Sequence, residues 1–241
     1  MNRANERPSV AIACRVAGVG GRELVVRRAY AEAVWRAGGL PVHIGPAGDE
    51  DPSQLAEAHA RAFNAYVLTG GDDPDMTPFD EPNHPAITLE HPTRQSYDAA
   101  LLRALERDRP SIPVLGVCWG MQLMALLAGA ELIQHMPDEF DSADAHTNDE
   151  RHPIVPALNH PHIAPGEVTS HHHQAMREDA PGSCGTMRII ARAHDGVVEA
   201  IDDPTRALYV GVQWHPERTP KGPLGLDIFR ALVRAAIDQR N

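Results

Sequence analysis

The sequence predicts an α/β protein, a doubly wound and mostly parallel sheet flanked by helices, with a few antiparallel strands added near the end. Three observations carry that expectation. Apolar runs of strand length alternate with helix-period segments through the first half of the chain, the pattern of parallel βαβ units. Two of those runs, at 65–68 and 113–117, pass straight into glycine-bearing turns. Three short β-like runs between 187 and 212 are separated by turn signals rather than helices, as in antiparallel additions to a sheet.

Taken in order, 9–14 reads as the first strand. Residues 27–37 place Ala29, Tyr30, Ala33, Val34 and Ala37 at helical spacing, and Gly38-Gly39 stops that helix. A strand at 40–44 follows, then a helix at 52–62 with Asp51 or Ser53 as its cap. Residues 65–68 form a strand that runs into Thr69-Gly70-Gly71-Asp72-Asp73-Pro74. A helix at 93–107 leads to the strand at 113–117, and another helix begins near Met121 and runs through Leu123, Leu126 and Leu127. The stretch 135–166, rich in His, Pro, Asp and Asn, reads as an irregular excursion. Strands at 187–193, 197–201 and 208–212 are set apart by Asp195-Gly196 and Asp202-Asp203-Pro204. A helix at 224–237 closes the series. No linker-like segment divides residues 1–241, so one domain is expected.

Composition narrows the function. The chain has 241 residues, 42% of them hydrophobic, enough for a sizeable core. A net charge of −11 and a pI near 5.6 speak against nucleic acid or an anionic membrane as partner. The absence of long apolar runs and of a signal-like start leads us to expect a soluble, cytoplasmic protein. Cys14, Cys118 and Cys184 are an odd and sparse set that fits a reducing compartment better than a disulfide framework. Cys14 and Cys184 read as packing or surface residues.

Cys118 is different. It follows the strand at 113–117, with Gly116 two residues before it and Gly120 two after. That spacing predicts a nucleophile elbow, a sharp strand-to-helix turn that presents one side chain in a strained backbone conformation. The helix N-terminus there favours a thiolate, and the Trp119 N–H faces a developing oxyanion. A cysteine nucleophile needs a base and the base an orienting group. Gly211-Val212-Gln213-Trp214-His215-Pro216-Glu217 supplies both, with His215 and Glu217 held across a stiff proline. Gly70-Gly71 and Cys118 lie at strand carboxyl ends, where doubly wound sheets bind ligands. The pair Gly70-Gly71 also suits an ordinary strand-ending turn. His171-His172-His173 invites a metal reading, but neighbours in an extended segment point to opposite faces and no other ligand stands at metal-site spacing. No metal is expected.

GVCWGMQLM together with GVQWHPE resembles the class I glutamine amidotransferase superfamily. AYAEAVWRAGGLPV, LTGGDDPDMTP, the run from Arg94 through Leu102, VTSHHHQAM and ARAHDGVVEAID narrow the likeness to the γ-glutamyl-γ-aminobutyrate hydrolase, or peptidase C26-like, family. The resemblance covers nearly the whole chain. It implies a flavodoxin-like sheet and a Cys118-His215-Glu217 triad that attacks a γ-glutamyl amide and passes through a thioester. It implies an oxyanion hole of the Trp119 and Gly71 N–H groups beside Gly70. Gln122 matches the family's position near the bound glutamyl group, and Ser170, His172 and His173 match the segment that borders the substrate pocket. Arg94 is placed to meet the substrate carboxylate, although an arginine at a helix start is also commonly solvated, as Gln122 would be on an exposed helix face.

The chain departs from that pattern at Trp119, where arginine is usual, at Asp98 in place of glutamate, and at Thr169 in place of asparagine. It is shortened near Gly166. These positions bear on the substrate rather than the triad. The expected activity is hydrolysis of γ-glutamyl-γ-aminobutyrate or a related γ-glutamylated amine from polyamine breakdown, with no cofactor and with the small substrate as partner. A homodimer is the base-rate expectation. Two other readings stand beside it: a glutaminase subunit that supplies ammonia to a separate synthase, and a non-catalytic γ-glutamyl-binding module.

Overall fold

The computed structural model describes residues 7–48, 51–177, 186–219 and 222–240; Cys184 lies outside them. Its centre is a nine-stranded sheet. The parallel part comprises β1 (Ser9–Ala13), β4 (Leu40–Ile44), β5 (Ala65–Leu68), β6 (Val114–Val117) and β13 (Tyr209–Val212). They lie side by side as β4-β1-β5-β6-β13, which in order of appearance is the 2-1-3-4-5 arrangement of flavodoxin-like sheets. Beyond β13 the sheet continues antiparallel through β12 (Val198–Asp202), β11 (Arg188–Ala193), β8 (Glu150–Pro156) and β9 (Gly166–Ser170).

Neighbouring residues of each parallel strand feed two separate cores, because successive side chains leave opposite faces. Ala11, Tyr66, Leu68 and Val114 pack toward α2 (Ser53–Ala62), α3 (Pro92–Asp108) and α4 (Trp119–Leu127). Val10, Ile12, Val67, Leu115 and Val117 pack toward α1 (Arg28–Ala37) and α5 (Leu226–Asp238). Both faces being covered explains why these strands read as continuous apolar runs. None of the helices among the described residues is long and apolar enough to cross a membrane.

The elements through β6 lie within a residue or two of their expected bounds. The helix at 53–62 is capped by Pro52 rather than by Asp51 or Ser53; Asp51, one residue earlier, accepts from Ser53 N and Ser53 Oγ at 2.9 and 2.6 Å. Three differences matter. The helix expected near Met121 starts at Trp119, directly after the cysteine. A hairpin of β2 (Arg15–Ala17) and β3 (Glu23–Val25) follows β1, too short to leave a periodic signal. The stretch expected to be irregular holds two 3-10 turns, Met136–Asp138 and Ala143–His146, and the seven-residue strand β8. β8 does alternate, but its inward residues include His152 beside Ile154, so the buried face does not read as apolar. A short pair, β7 (Leu132–Ile133) with β10 (Ala175–Met176), completes the structure.

Backbone packs closely at the crossing of α4 over β5 and β6. A Cβ on Gly120 would sit 2.5 Å from the Leu68 carbonyl oxygen, and one on Gly116 would meet Met124 Sδ and lie 2.8 Å from the Gly120 carbonyl carbon. Neither backbone can retreat without moving a strand. Gly120→Ala is therefore expected to destabilise the fold by about 1–3 kcal/mol, read as a lower urea midpoint at unchanged slope. An unchanged midpoint would mean that this contact does not set the helix-to-sheet distance.

Candidate active site

The elbow forms as its glycines require. Cys118 takes φ 50° and ψ −109°, a region costly for any side chain and held here because its surroundings leave no alternative. Its N–H donates to the Val212 carbonyl at 2.7 Å, which ties the turn to β13. The register Gly116↔Gly211 and Val117↔Val212 then aligns the end of β6 with the end of β13, the strand that leads into His215. The His215 N–H in turn donates to Thr169 O at 2.9 Å, so β9 fixes the histidine from its other side.

His215 Nδ1–H donates to Glu217 Oε1 at 2.8 Å, and that carboxylate is fully enclosed. Nδ1 being occupied, Nε2 is the nitrogen left to accept a proton. His215 and Cys118 converge on Gly70, where a Cβ would lie 2.8 Å from His215 Cε1 and 3.7 Å from Cys118 Cβ. Only a glycine leaves room for that approach. Burial pushes the Cys118 thiol up to about 12, against the pull of the Trp119 N–H directed at it. Burial also lowers His215 from its ordinary 6.5, although the bond to Glu217 opposes the shift. Both shifts favour the neutral form of the group. The free thiolate expected from the helix N-terminus is not favoured, because desolvation outweighs the backbone donor.

The Gly70 N–H is already engaged, donating to the Tyr30 hydroxyl oxygen at 3.0 Å. Among the described residues the Gly71 N–H has no such partner, which leaves it and the Trp119 N–H as the available donors beside the sulfur. In the sequence Tyr30 reads only as an apolar helix position. Its hydroxyl is the group that orients the Gly70-Gly71 turn, and nothing in its spacing announces that role.

The remaining expected residues divide. Gln122 and His173 line the crevice with Cys118, Gly71 and Asp73. Gln122 is buried rather than exposed, its Nε2 donating to Gln213 Oε1 at 3.4 Å. His173 Nε2 meets Asp73 at 3.0 Å, and this hydrogen bond raises its pKa. His172 borders the crevice, but its Nδ1 donates to Gln174 O at 2.8 Å and its Nε2 faces Glu199, so its ring is committed inward. Ser170 is wholly buried and outside the lining. The His171 carbonyl is the part of this segment that reaches Cys118 Sγ, at 3.9 Å.

Arg94 does not face the crevice as expected. It has no exposed surface and braces the turn from beneath. Its guanidinium donates to Glu90 at 2.6 Å, Asp98 at 3.3 Å, Thr69 O at 2.8 Å and Gly70 O at 3.3 Å. It also lies 4.2 Å over the Trp119 ring, a cation–π contact in a dry setting. Burial raises Glu90, but Arg94, Arg15 and the His91 and Asp72 N–H groups together hold it below its usual range, whereas burial lifts Asp98 to about 7 despite Arg94. The Trp119 indole is fully buried and absent from the crevice lining, so this side chain belongs to the support beneath the turn and not to the crevice wall. Arg15 completes the network from the hairpin, 3.0 Å from Glu90.

Comparison with known proteins identifies the family of the chain. The sequence model of the peptidase C26 family matches residues 14–217. A glutamine amidotransferase-like protein of Rickettsia prowazekii is 28% identical, over 88% of this chain and 89% of its own. The γ-glutamyl-γ-aminobutyrate hydrolase PuuD of Escherichia coli K12 is also 28% identical, over 86% and 84%. The crystal structure of a glutamine amidotransferase from Thermotoga maritima superposes with a TM-score of 0.56, over 88% of this chain and 77% of its own, at 13% identity. That last is a likeness of fold alone. The family match begins where β1 ends, takes in the elbow, and closes on Glu217, and on that ground the chain belongs to the peptidase C26 family.

Proposed function

We propose that this protein hydrolyses the γ-amide bond of small γ-glutamyl compounds through a thioester on Cys118. The observation that carries the reading is the meeting at Gly70 of the strained Cys118 and a His215 whose Nδ1 is held by the enclosed Glu217. As the sulfur attacks the γ-carbonyl carbon, the thiol proton passes to His215 Nε2. The carbonyl oxygen becomes an oxyanion against the Gly71 and Trp119 N–H groups. Collapse breaks the C–N bond, and the amine leaves with the proton from His215. Water then attacks the thioester, giving its proton to His215, and glutamate departs as the thiol is restored. Each step uses groups that the chain itself carries.

Similarity to PuuD supports γ-glutamyl-γ-aminobutyrate or a related γ-glutamylated amine as substrate. A panel containing γ-glutamyl-γ-aminobutyrate, γ-glutamylputrescine, other γ-glutamyl amides and glutamine, assayed for glutamate release, tests this. Turnover of a γ-glutamyl amide above glutamine is expected. It should fall at least about a thousandfold in Cys118→Ala and His215→Ala, and less in Glu217→Gln. Turnover of glutamine alone would reassign the chain as a glutaminase subunit. Turnover that survives Cys118→Ala would exclude the thioester.

The pH profile has a defined sign. His215 must be neutral to accept the proton, and its pKa is depressed, so kcat/KM should fall in acid with a midpoint below 6.5. The thiol at about 12 predicts a plateau across the mildly alkaline range. A rate that climbs steadily there would instead indicate attack by a thiolate ionised independently of His215.

A further inference from the structure

Behind the crevice wall, four side chains from four separate segments meet. His146 ends the second 3-10 turn, His152 lies in β8, His172 follows β9, and Glu199 lies in β12. Their exposures are 1%, 6%, 6% and 0%. Glu199 Oε1 stands 3.2 Å from His146 Nδ1, 3.4 Å from His152 Nε2 and 3.5 Å from His172 Nε2. All four potential ligand atoms lie within 4.8 Å of one another. Yet none of these inward-facing atoms makes a hydrogen bond, and Glu199 Oε2 makes none either.

The outer nitrogens explain why. His146 Nε2 is 2.9 Å from Asp195 Oδ2, His172 Nδ1 is 2.8 Å from Gln174 O, and His152 Nδ1 is 3.3 Å from Pro153 O. A carboxylate or carbonyl oxygen only accepts, so each outer nitrogen carries a hydrogen, and in the neutral imidazole each inner one presents a lone pair. Three lone pairs and a carboxylate thus converge in a dry space. Buried acceptors left that way are costly, and a cation at their centre satisfies all four together.

We propose that His146, His152, His172 and Glu199 form a closed, structural site for a divalent transition metal, with Zn²⁺ as the best fit. Zinc bonds of 2.0–2.1 Å in a tetrahedron require ligand–ligand edges of about 3.3–3.4 Å, and the three separations from Glu199 bracket that value. Three imidazoles disfavour Mg²⁺ and Ca²⁺, which prefer oxygen shells. Four protein ligands and near-complete burial leave no open position, as in structural rather than catalytic zinc sites. The outer bonds to Asp195, Gln174 and Pro153 are the support that metal-binding histidines characteristically have. The His172 N–H also donates to His146 O at 2.8 Å, so backbone and side chains fasten the same two segments. The metal would clamp the 3-10 turn, β8 and the crevice wall to β12. No sequence spacing announces it, since the ligands lie on four different elements.

The test uses untagged full-length protein, as purified and after chelator treatment, with metal content read by plasma mass spectrometry. Wild type and Cys118→Ala are each expected to hold close to one Zn²⁺ per chain, which separates this site from the thiol. His162→Ala, at a residue whose ring meets that of His160 edge-on at 5.6 Å and is not among the four ligands, should retain the metal. His152→Ala and Glu199→Gln should lose it. Chelated wild type should gain thermal stability on adding Zn²⁺, and the two ligand variants should not. Co²⁺ added to chelated wild type should give the intense visible bands of a four-coordinate ion, a readout that stands even if the ligand variants fail to fold. Chelated wild type that neither takes up stoichiometric Zn²⁺ nor gives those bands would overturn the proposal. So would uptake and stabilisation unchanged by both His152→Ala and Glu199→Gln.

Discussion

The contact between α4 and the ends of β5 and β6 is the constraint on which the rest of this structure depends. With no side chain at Gly116 or Gly120, the helix starts almost on top of the Leu68 carbonyl. The residue joining β6 to α4 has no room for an ordinary turn and takes a positive φ. Everything near the sulfur inherits that geometry: the Trp119 N–H beside it, the Val212 carbonyl that anchors it, and the Gly70-Gly71 turn facing it. Dense packing transmits position well, since protein interiors deform little. A short steric motif therefore places groups drawn from widely separated parts of the sequence.

Below that turn lies a second, electrostatic layer. Arg94 is surrounded by Glu90, Asp98 and two backbone carbonyls, with Trp119 closing one side. A buried ion group of this kind adds little net stability compared with apolar packing, but losing one member strands the others. Its value here is positional. It fixes the carbonyls of Thr69 and Gly70, and so the direction in which the adjacent N–H groups point.

How much of the molecule is legible in its sequence follows from how local each signal is. The parallel strands, the elbow and the His215–Glu217 pair are legible because short contiguous patterns encode them. β8 is not, because its inward face carries a histidine where an apolar residue would mark a strand. Arg94 reads as facing a ligand or solvent because a charged side chain at a helix start is ordinarily exposed. Its complete burial depends on carboxylates four residues to either side of it together with the distant turn. Tyr30 and the group around Glu199 depend wholly on tertiary contacts. Pattern reading along one chain has no access to them.

The order of the sheet has a consequence for how the protein reaches this state. β13, the last strand in the chain, occupies the middle of the sheet, between β6 and β12. Until it enters, the parallel and antiparallel halves have no strand joining them, and each leaves an open edge capable of pairing with another chain. Insertion of that one strand also brings His215 to Cys118, so assembly of the sheet and of the candidate site coincide. Such long-range closure favours slow folding and a period of vulnerability to aggregation. A nascent chain still lacking its final segment thus has a sulfur without its histidine and two sheet edges without a partner.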